Sequence, residues 1–317
     1  MRGEASEKVV VAGHACVDLI PALAADPTRE PGGFSNVGPL EVRCGGSVVN
    51  TGEALVALGR PVHLVAAVGA DHLGGVLAER LRALDPAARL EPVAHGTSYS
   101  VVLERGGSRT LWHHEGSNVA FTGREVDPAD AALVHLGYAT ALPALLLDDL
   151  APFLDLLARI SAAGATSSVD FATVVRARID IVSPSADDLV SLGWLPPRPR
   201  PEDVADAARR LVDAGAGIAF VTDGERGAHL RVADATRLAR GGRVLARLGP
   251  DWPGVAVQVP AVPVETVVGT NGAGDTASAG LIDALLNGYT PRDASRAAVA
   301  LAAERVAGRE LRAVDIT

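Results

Sequence analysis

The chain has 317 residues, 48% hydrophobic and 21% charged, enough for one large or two small cores and too apolar for a disordered chain. Its formal net charge of -9 offers no basic footprint for a nucleic-acid partner. Lys8 is the only lysine, which excludes a Schiff-base or phosphate-loop lysine anywhere beyond the N-terminal tail.

The polar opening MRGEASEK leads into VVVAGHACVDLI, a short apolar run interrupted by His14 and Asp18. It reads as neither a signal peptide nor an 18-residue membrane span, so a cytoplasmic protein without a membrane partner is expected. Cys16 and Cys44 are the only cysteines and match neither a disulfide scaffold nor zinc spacing. The pattern predicts strands over Val9–Ala12, His63–Val68, Ala132–Leu136, Ser167–Phe171, Ile179–Val182 and Ile218–Thr222. Helices are predicted over Ser47–Leu58, Gly74–Leu84, Ala144–Ala163, Ala186–Leu192 and Glu202–Ala214, the last opened by Pro201 and closed by Gly215. This alternation is that of an α/β fold with a central, mostly parallel sheet flanked by helices. Pro21–Arg43 and Arg231–Pro263 break the rhythm and read as irregular. Thr97–His114 reads as a hairpin outside the main sheet: TSYSVVLE, RGGS, RTLWHH.

The chemistry concentrates in Val264–Gly288, VETVVGTNGAGDTASAGLIDALLNG. Gly272 and Gly274 let the backbone turn so that successive N–H groups point at one spot, and a helix follows, so the segment makes an anion site. Asp275 beside such a site would repel a phosphate. Its natural task is to take a proton from a hydroxyl that attacks a transferred phosphoryl group. A helix N-cap is the alternative reading. The segment is not a phosphate loop of the lysine type, and the first strand carries no dinucleotide fingerprint, which disfavours a dehydrogenase.

GTNGAGDTASAG resembles the C-terminal signature of the ribokinase-like (PfkB) sugar kinases, approximately DTxGAGDxFxAG. The resemblance covers nearly the whole chain, in family order. GHACVDLIP would end the first strand in a substrate-binding aspartate, Asp18. GGSVVNTGEALVALG would bring Gly46 and Asn50 to the sugar, with Arg109 and Asn118 as further contacts. VGADHLGG makes Asp71 a structural turn residue. TDGERGA resembles the element that contacts the nucleotide, with Thr222, Gly224 and Gly227. The resemblance implies a single ribokinase-like, Rossmann-like three-layer domain over 1–317, with a small β-lid built from segments near 19–44 and 97–116. It also implies Asp275 as general base, with Gly272, Ala273 and Gly274 as the anion hole, and ATP and Mg2+ as donor and cofactor.

Three departures stand out. Gly269 replaces the aspartate that opens the signature, which leaves a monovalent cation without its usual carboxylate. The magnesium-organising NxxE element reads SPSADDL, with Ser185 at the nucleotide and Asp188 holding Mg2+ through a water. Asn271 stands where a small hydroxyl residue is usual. A sugar or sugar-like alcohol is the leading acceptor. A nucleoside kinase of the same fold and a non-catalytic sugar sensor are the alternatives, and a homodimer paired through the lid is the expected assembly.

Overall fold

The structure, a computed structural model, describes residues 7–24, 32–105, 108–170 and 179–313; the side chains of residues 105, 108 and 109 fall outside that description. Thirteen strands lie in two sheets among the described residues.

The first strand, β1 (Val9–Gly13), is apolar at every position and fully buried. Its alternating side chains explain why: Val9 and Val11 enter one core, Val10 and Ala12 the other. The expected Val9–Ala12 strand is therefore present, one glycine longer. Only His14 and Ala15 separate it from β2 (Cys16–Pro21), which belongs to the second sheet with β3 (Leu40–Gly45). The expected irregularity of Pro21–Arg43 is thus corrected at both ends. Leu40–Arg43 is exposed on both faces, so its alternation carries no burial signal.

The chain continues through α1 (Ser47–Ala57), β4 (Val62–Gly69), α2 (His72–Leu84) and β5 (Arg89–Val93). Asp71 caps α2 by accepting from Gly74 N–H at 2.8 Å, and also takes the Thr97 N–H at 2.8 Å and hydroxyl at 2.6 Å. It ties the start of the next hairpin to the main sheet, in keeping with the structural role expected of it. That hairpin is β6 (Tyr99–Arg105) with β7 (Ser108–His114), and it completes the second sheet in the order β3-β2-β6-β7.

The remaining elements are β8 (Leu133–Gly137), α3 (Leu147–Ala162), β9 (Thr166–Val169), β10 (Ile181–Val182), α4 (Ala186–Ser191), α5 (Pro201–Asp213) and β11 (Ile218–Thr222). Then follow β12 (Ala228–Val232), α6 (Ala235–Leu238), α7 (Gly242–Leu245), β13 (Ala256–Val259), α8 (Ala273–Leu286) and α9 (Pro291–Val306). Phe171, expected to end a strand, lies outside the described residues. Ile179 precedes its strand, and Pro143–Leu146 is a 3-10 turn before α3. Arg231–Pro263, expected to be irregular, holds two short helices and β13; the half-exposed Ala256–Val259 hides its strand from an apolar-run reading.

The large sheet runs β13-β12-β11-β10-β9-β8-β1-β4-β5, parallel except where β12 and β13 turn back. One core packs α1, α2, α8 and α9 on one face, and the other packs α3, α4 and α5 on the opposite face. Chain connections leave β1 towards β4 on one side and resume at β8 on the other. That reversal opens a crevice at the carboxyl ends of the strands, where open α/β sheets bind ligands.

Candidate active site

His14 follows β1 at this crevice, Tyr138 follows β8, Asp170 follows β9 and Ser183 follows β10. Helix α8 begins there too. Its N-cap, Gly272, has φ 74°, a left-handed conformation that favours glycine, and no side chain caps the helix. A Cβ on Gly272 would lie 2.9 Å from Asn50 Cγ, so the turn also needs glycine for room. Ala273 N–H donates to Thr270 O at 3.3 Å, which leaves Gly272 and Gly274 as the better-placed anion donors of the three expected.

Asp275 sits in the first turn of α8 and is buried. It does not cap its own helix. Its Oδ2 accepts from Asn50 Nδ2 at 2.8 Å; its Oδ1 is buried without a donor, and the Asp170 carboxylate lies close enough to share a proton with the Asp275 carboxyl. Burial, and then the charge of Asp170, push its pKa up to about 7, against the pull of the Asn50 bond and of His135. A carboxylate of that strength suits general-base work near neutrality.

Asp18, on β2, is also buried, and its Oδ2 accepts from Asn271 Nδ2 at 2.9 Å. That bond accounts for Asn271: its amide holds the Asp18 carboxylate against the turn preceding α8. Gly45 packs against it, since a Cβ there would approach Asp18 Oδ2 to 2.7 Å and displace the carboxylate. Gly46 caps α1 at φ 83° and packs on the His14 carbonyl. Burial first, and then neighbouring Asp18, push the Cys16 thiol well above its ordinary value, so it supplies no thiolate.

Three further polar side chains stand in this pocket's wall, two of which, His14 and Ser47, sequence reasoning missed. His14 Nδ1, Ser47 Oγ and Asn118 Nδ2 are buried without a protein partner, Asp275 Oδ1 is buried without a donor, and Asn118 Oδ1 takes the Ala15 N–H at 3.3 Å. Asn118 was indicated only by resemblance. His14 and Ser47 lie inside quoted motifs, but a lone His or Ser carries no local signal. Buried polar groups in folded proteins nearly always find partners, so four orphans at one crevice are polar atoms still able to bond a ligand or a water. Burial, and then nearby His113, lower the His14 pKa to about 4, so the ring is neutral and both accepts and donates. His14 lies 5.7 Å from the His113 ring and 6.0 Å from the Tyr138 ring, which line the crevice with flat surfaces.

The expected nucleotide residues form a second group. A bridge pairs Ser185 with Thr222, and Gly224 (φ 53°) and Gly227 (φ 100°) make the tight β11–β12 turn. Asp188 Oδ2 accepts from the Ser185 N–H at 2.9 Å and hydroxyl at 2.6 Å, a capping box at the start of α4. Burial raises the Asp188 pKa, and the Ser185 bonds only partly offset it. No cluster of three His, Cys, Asp or Glu side chains suited to a metal is found among the described residues. Both Ser185 bonds fall on Asp188 Oδ2, so Oδ1 is the atom left to meet a water of an ion such as Mg2+, which keeps several of its waters. The Arg109 side chain lies outside the described residues; its backbone pairs with Glu104 near the far end of the hairpin. The crevice thus gathers Asp18, Gly46, Asn50, Gly272 and Asp275 through direct contacts, and α4 and the β11–β12 turn bring Ser185, Asp188, Thr222, Gly224 and Gly227 together beside it.

No helix among the described residues is long and apolar enough to cross a membrane. The fold is similar to that of ribokinase from Arabidopsis thaliana, solved with ribose and ATP, at 21% identity and a TM-score of 0.73 over 95% of this chain and 93% of that one. Adenosine kinase from Sinorhizobium meliloti matches at 21% identity and 0.72 over 98% and 97%, and ribokinase from Giardia lamblia at 16% and 0.75 over 96% and 95%. A sequence profile of the pfkB family carbohydrate kinases matches residues 6–315, and the chain therefore belongs to that family and is a carbohydrate kinase.

Proposed function

We propose that this enzyme transfers the γ-phosphoryl group of ATP to a hydroxyl of a small sugar or sugar-like alcohol, with Asp275 as the base. The observation that carries this reading is the buried Asp275 carboxyl, whose Oδ1 takes no hydrogen bond from a donor, in the first turn of a helix whose N-terminus no side chain caps. As the acceptor oxygen bonds to the γ-phosphorus, its proton passes to Asp275 Oδ1, and the bond to the β-phosphate oxygen breaks to release ADP. Gly272 and Gly274 N–H groups and the helix dipole stabilise the charge on the moving phosphoryl group. Magnesium, held through water near Asp188, would neutralise phosphate charge. Asp18 captures substrate hydroxyls with its two acceptor oxygens, and Asn118, Ser47 and His14 supply further polar contacts. The four-stranded sheet β3-β2-β6-β7 serves as the lid that keeps water from the phosphoryl group.

A coupled ADP-release assay across pentoses, hexoses, keto-acid sugars and nucleosides tests the reading. Sugar-dependent ADP production is expected; sugar-dependent thermal stabilisation without ADP would make the chain a sensor instead. Asp18→Asn is expected to raise KM for the sugar by ~10–100-fold with a smaller change in kcat, the loss typical of a hydrogen bond to a charged group. An unchanged KM would remove Asp18 from the binding site.

A nucleoside acceptor is the second reading, favoured by the His14, His113 and Tyr138 rings, which offer flat surfaces to a base. Calorimetric competition between ribose and adenosine separates the two.

A further inference from the structure

Beneath Asp275 lies a second titratable group that the phosphoryl transfer itself does not use. His135, on β8, is fully buried, and Asp170, just after β9, is nearly so. Their Nε2 and Oδ2 atoms are 3.3 Å apart, an ion pair, and His135 Nδ1 lies 3.0 Å from Ser168 Oγ. The other oxygen of Asp170 accepts from Ser278 Oγ at 2.7 Å and from Ser183 Oγ at 3.1 Å. Ser278 is on α8, one turn beyond Asp275, so the pair reaches directly into the helix that carries the base.

Burying a charge is costly, and a buried charged pair is a poor source of stability in its own right. Retaining one under a catalytic carboxylate calls for a reason. We propose that His135 and Asp170 are positioning residues for Asp275: the pair anchors α8 through Ser278, and its charges set how tightly Asp275 holds its proton. The proposal rests on the kinase reading above.

The electrostatics agree with the geometry. Burial works against charge on Asp170, but His135 and the Ser278 bond outweigh it and hold the carboxyl below its ordinary value. Burial likewise works against charge on His135, and Asp170 outweighs it, raising the imidazole. Asp170 therefore stays negative beneath Asp275 and pushes its proton affinity up, while His135 limits that push. The other titratable groups facing this cluster are Cys16 and Asp18 from β2, Asp188 from α4, and Arg305 from α9. Arg305 donates to Thr276 Oγ1 and to Glu53 of α1.

The test is a carboxyl 13C NMR titration of the ligand-free, full-length protein, with the Asp275 resonance assigned by its loss in Asp275→Asn. The two carboxyls share their titration, so the upper apparent midpoint is the quantity to follow. In the wild type it should lie near 7. In Asp170→Asn it should fall by at least ~1 pH unit, and in His135→Gln it should rise, two opposite shifts that a merely structural role would not produce. The acid limb of the kcat–pH profile should follow both. A wild-type midpoint in the ordinary carboxylate range overturns the proposal even if neither variant folds, and so does a midpoint unmoved in folded variants. An intact midpoint in a protein that releases no ADP with any acceptor would instead refute the kinase reading.

Discussion

Replacing Asp275 with asparagine is expected to lower kcat by ~10²–10⁴-fold, the usual cost of losing a general base, while making the folded protein more stable above neutral pH. The two effects share one cause. In the unfolded chain this carboxyl ionises near 3.8, but in the fold burial and the Asp170 charge hold its proton until about 7. The folded state therefore binds more protons than the unfolded one between those values. Stability falls as pH rises through that window, and the loss is complete above about 7. At ~1.4 kcal/mol per pH unit, the penalty on the wild type approaches ~4 kcal/mol as an upper bound. Asparagine cannot ionise and escapes it. The Tm of Asp275→Asn should therefore pull ahead of the wild type as pH is raised from 5 to 8. A variant that turns over at nearly the wild-type rate would remove Asp275 from the chemistry, and a Tm gap flat with pH would mean the carboxyl ionises without strain.

The second large effect is expected at Gly137, which makes no proposed contact with substrate. A Cβ there would lie 1.9 Å from Ser47 Cβ and 2.3 Å from Ser47 Oγ. The first of these atoms is fixed to the backbone, so rotating a side chain cannot relieve the overlap; the start of α1 must move. That helix carries Asn50, whose amide donates to Asp275. Gly137→Ala should therefore cost ~1–3 kcal/mol or more of stability, the range for overpacked cores, and lower kcat as well. Adding Ser47→Gly should recover much of the stability, because it removes the obstructing atoms. Two destabilisations that simply add would show that the residues do not meet.

Much of the fold was legible because its central strands are buried on both faces. Val9–Ala12, Ala132–Leu136 and Ile218–Thr222 read as near-continuous apolar runs, and Pro201 and Gly215 punctuated their helix as expected. The strands that went unread are those without a one-sided burial pattern. Leu40–Arg43 is exposed throughout, and β13, at the edge of the large sheet, is largely exposed as well. At the site, Asp275 and the glycines beside it form a compact motif and could be read directly. Asn271 could not, because its reason for being there is Asp18, 253 residues away. The same holds for His135, Asp170 and Ser278, which come from three separate elements and meet only when the sheet is assembled.

The route by which the chain passes between its two sheets has a practical consequence. It leaves the large sheet through His14–Ala15 and returns through Gly45–Gly46, and Gly46 is packed so tightly on His14 and Ala15 that a Cβ would come within 2.8 Å of both. It leaves again through Gly96–Ser98 and returns at Gly116, where a Cβ would meet the Gly96 carbonyl at 2.5 Å. All four crossings are thus paired and locked by glycine. Everything between the paired points forms a cassette that can be exchanged between relatives as a unit, provided both glycine clasps travel with it, whereas a graft that cut inside either clasp would lose the floor of the pocket along with its roof.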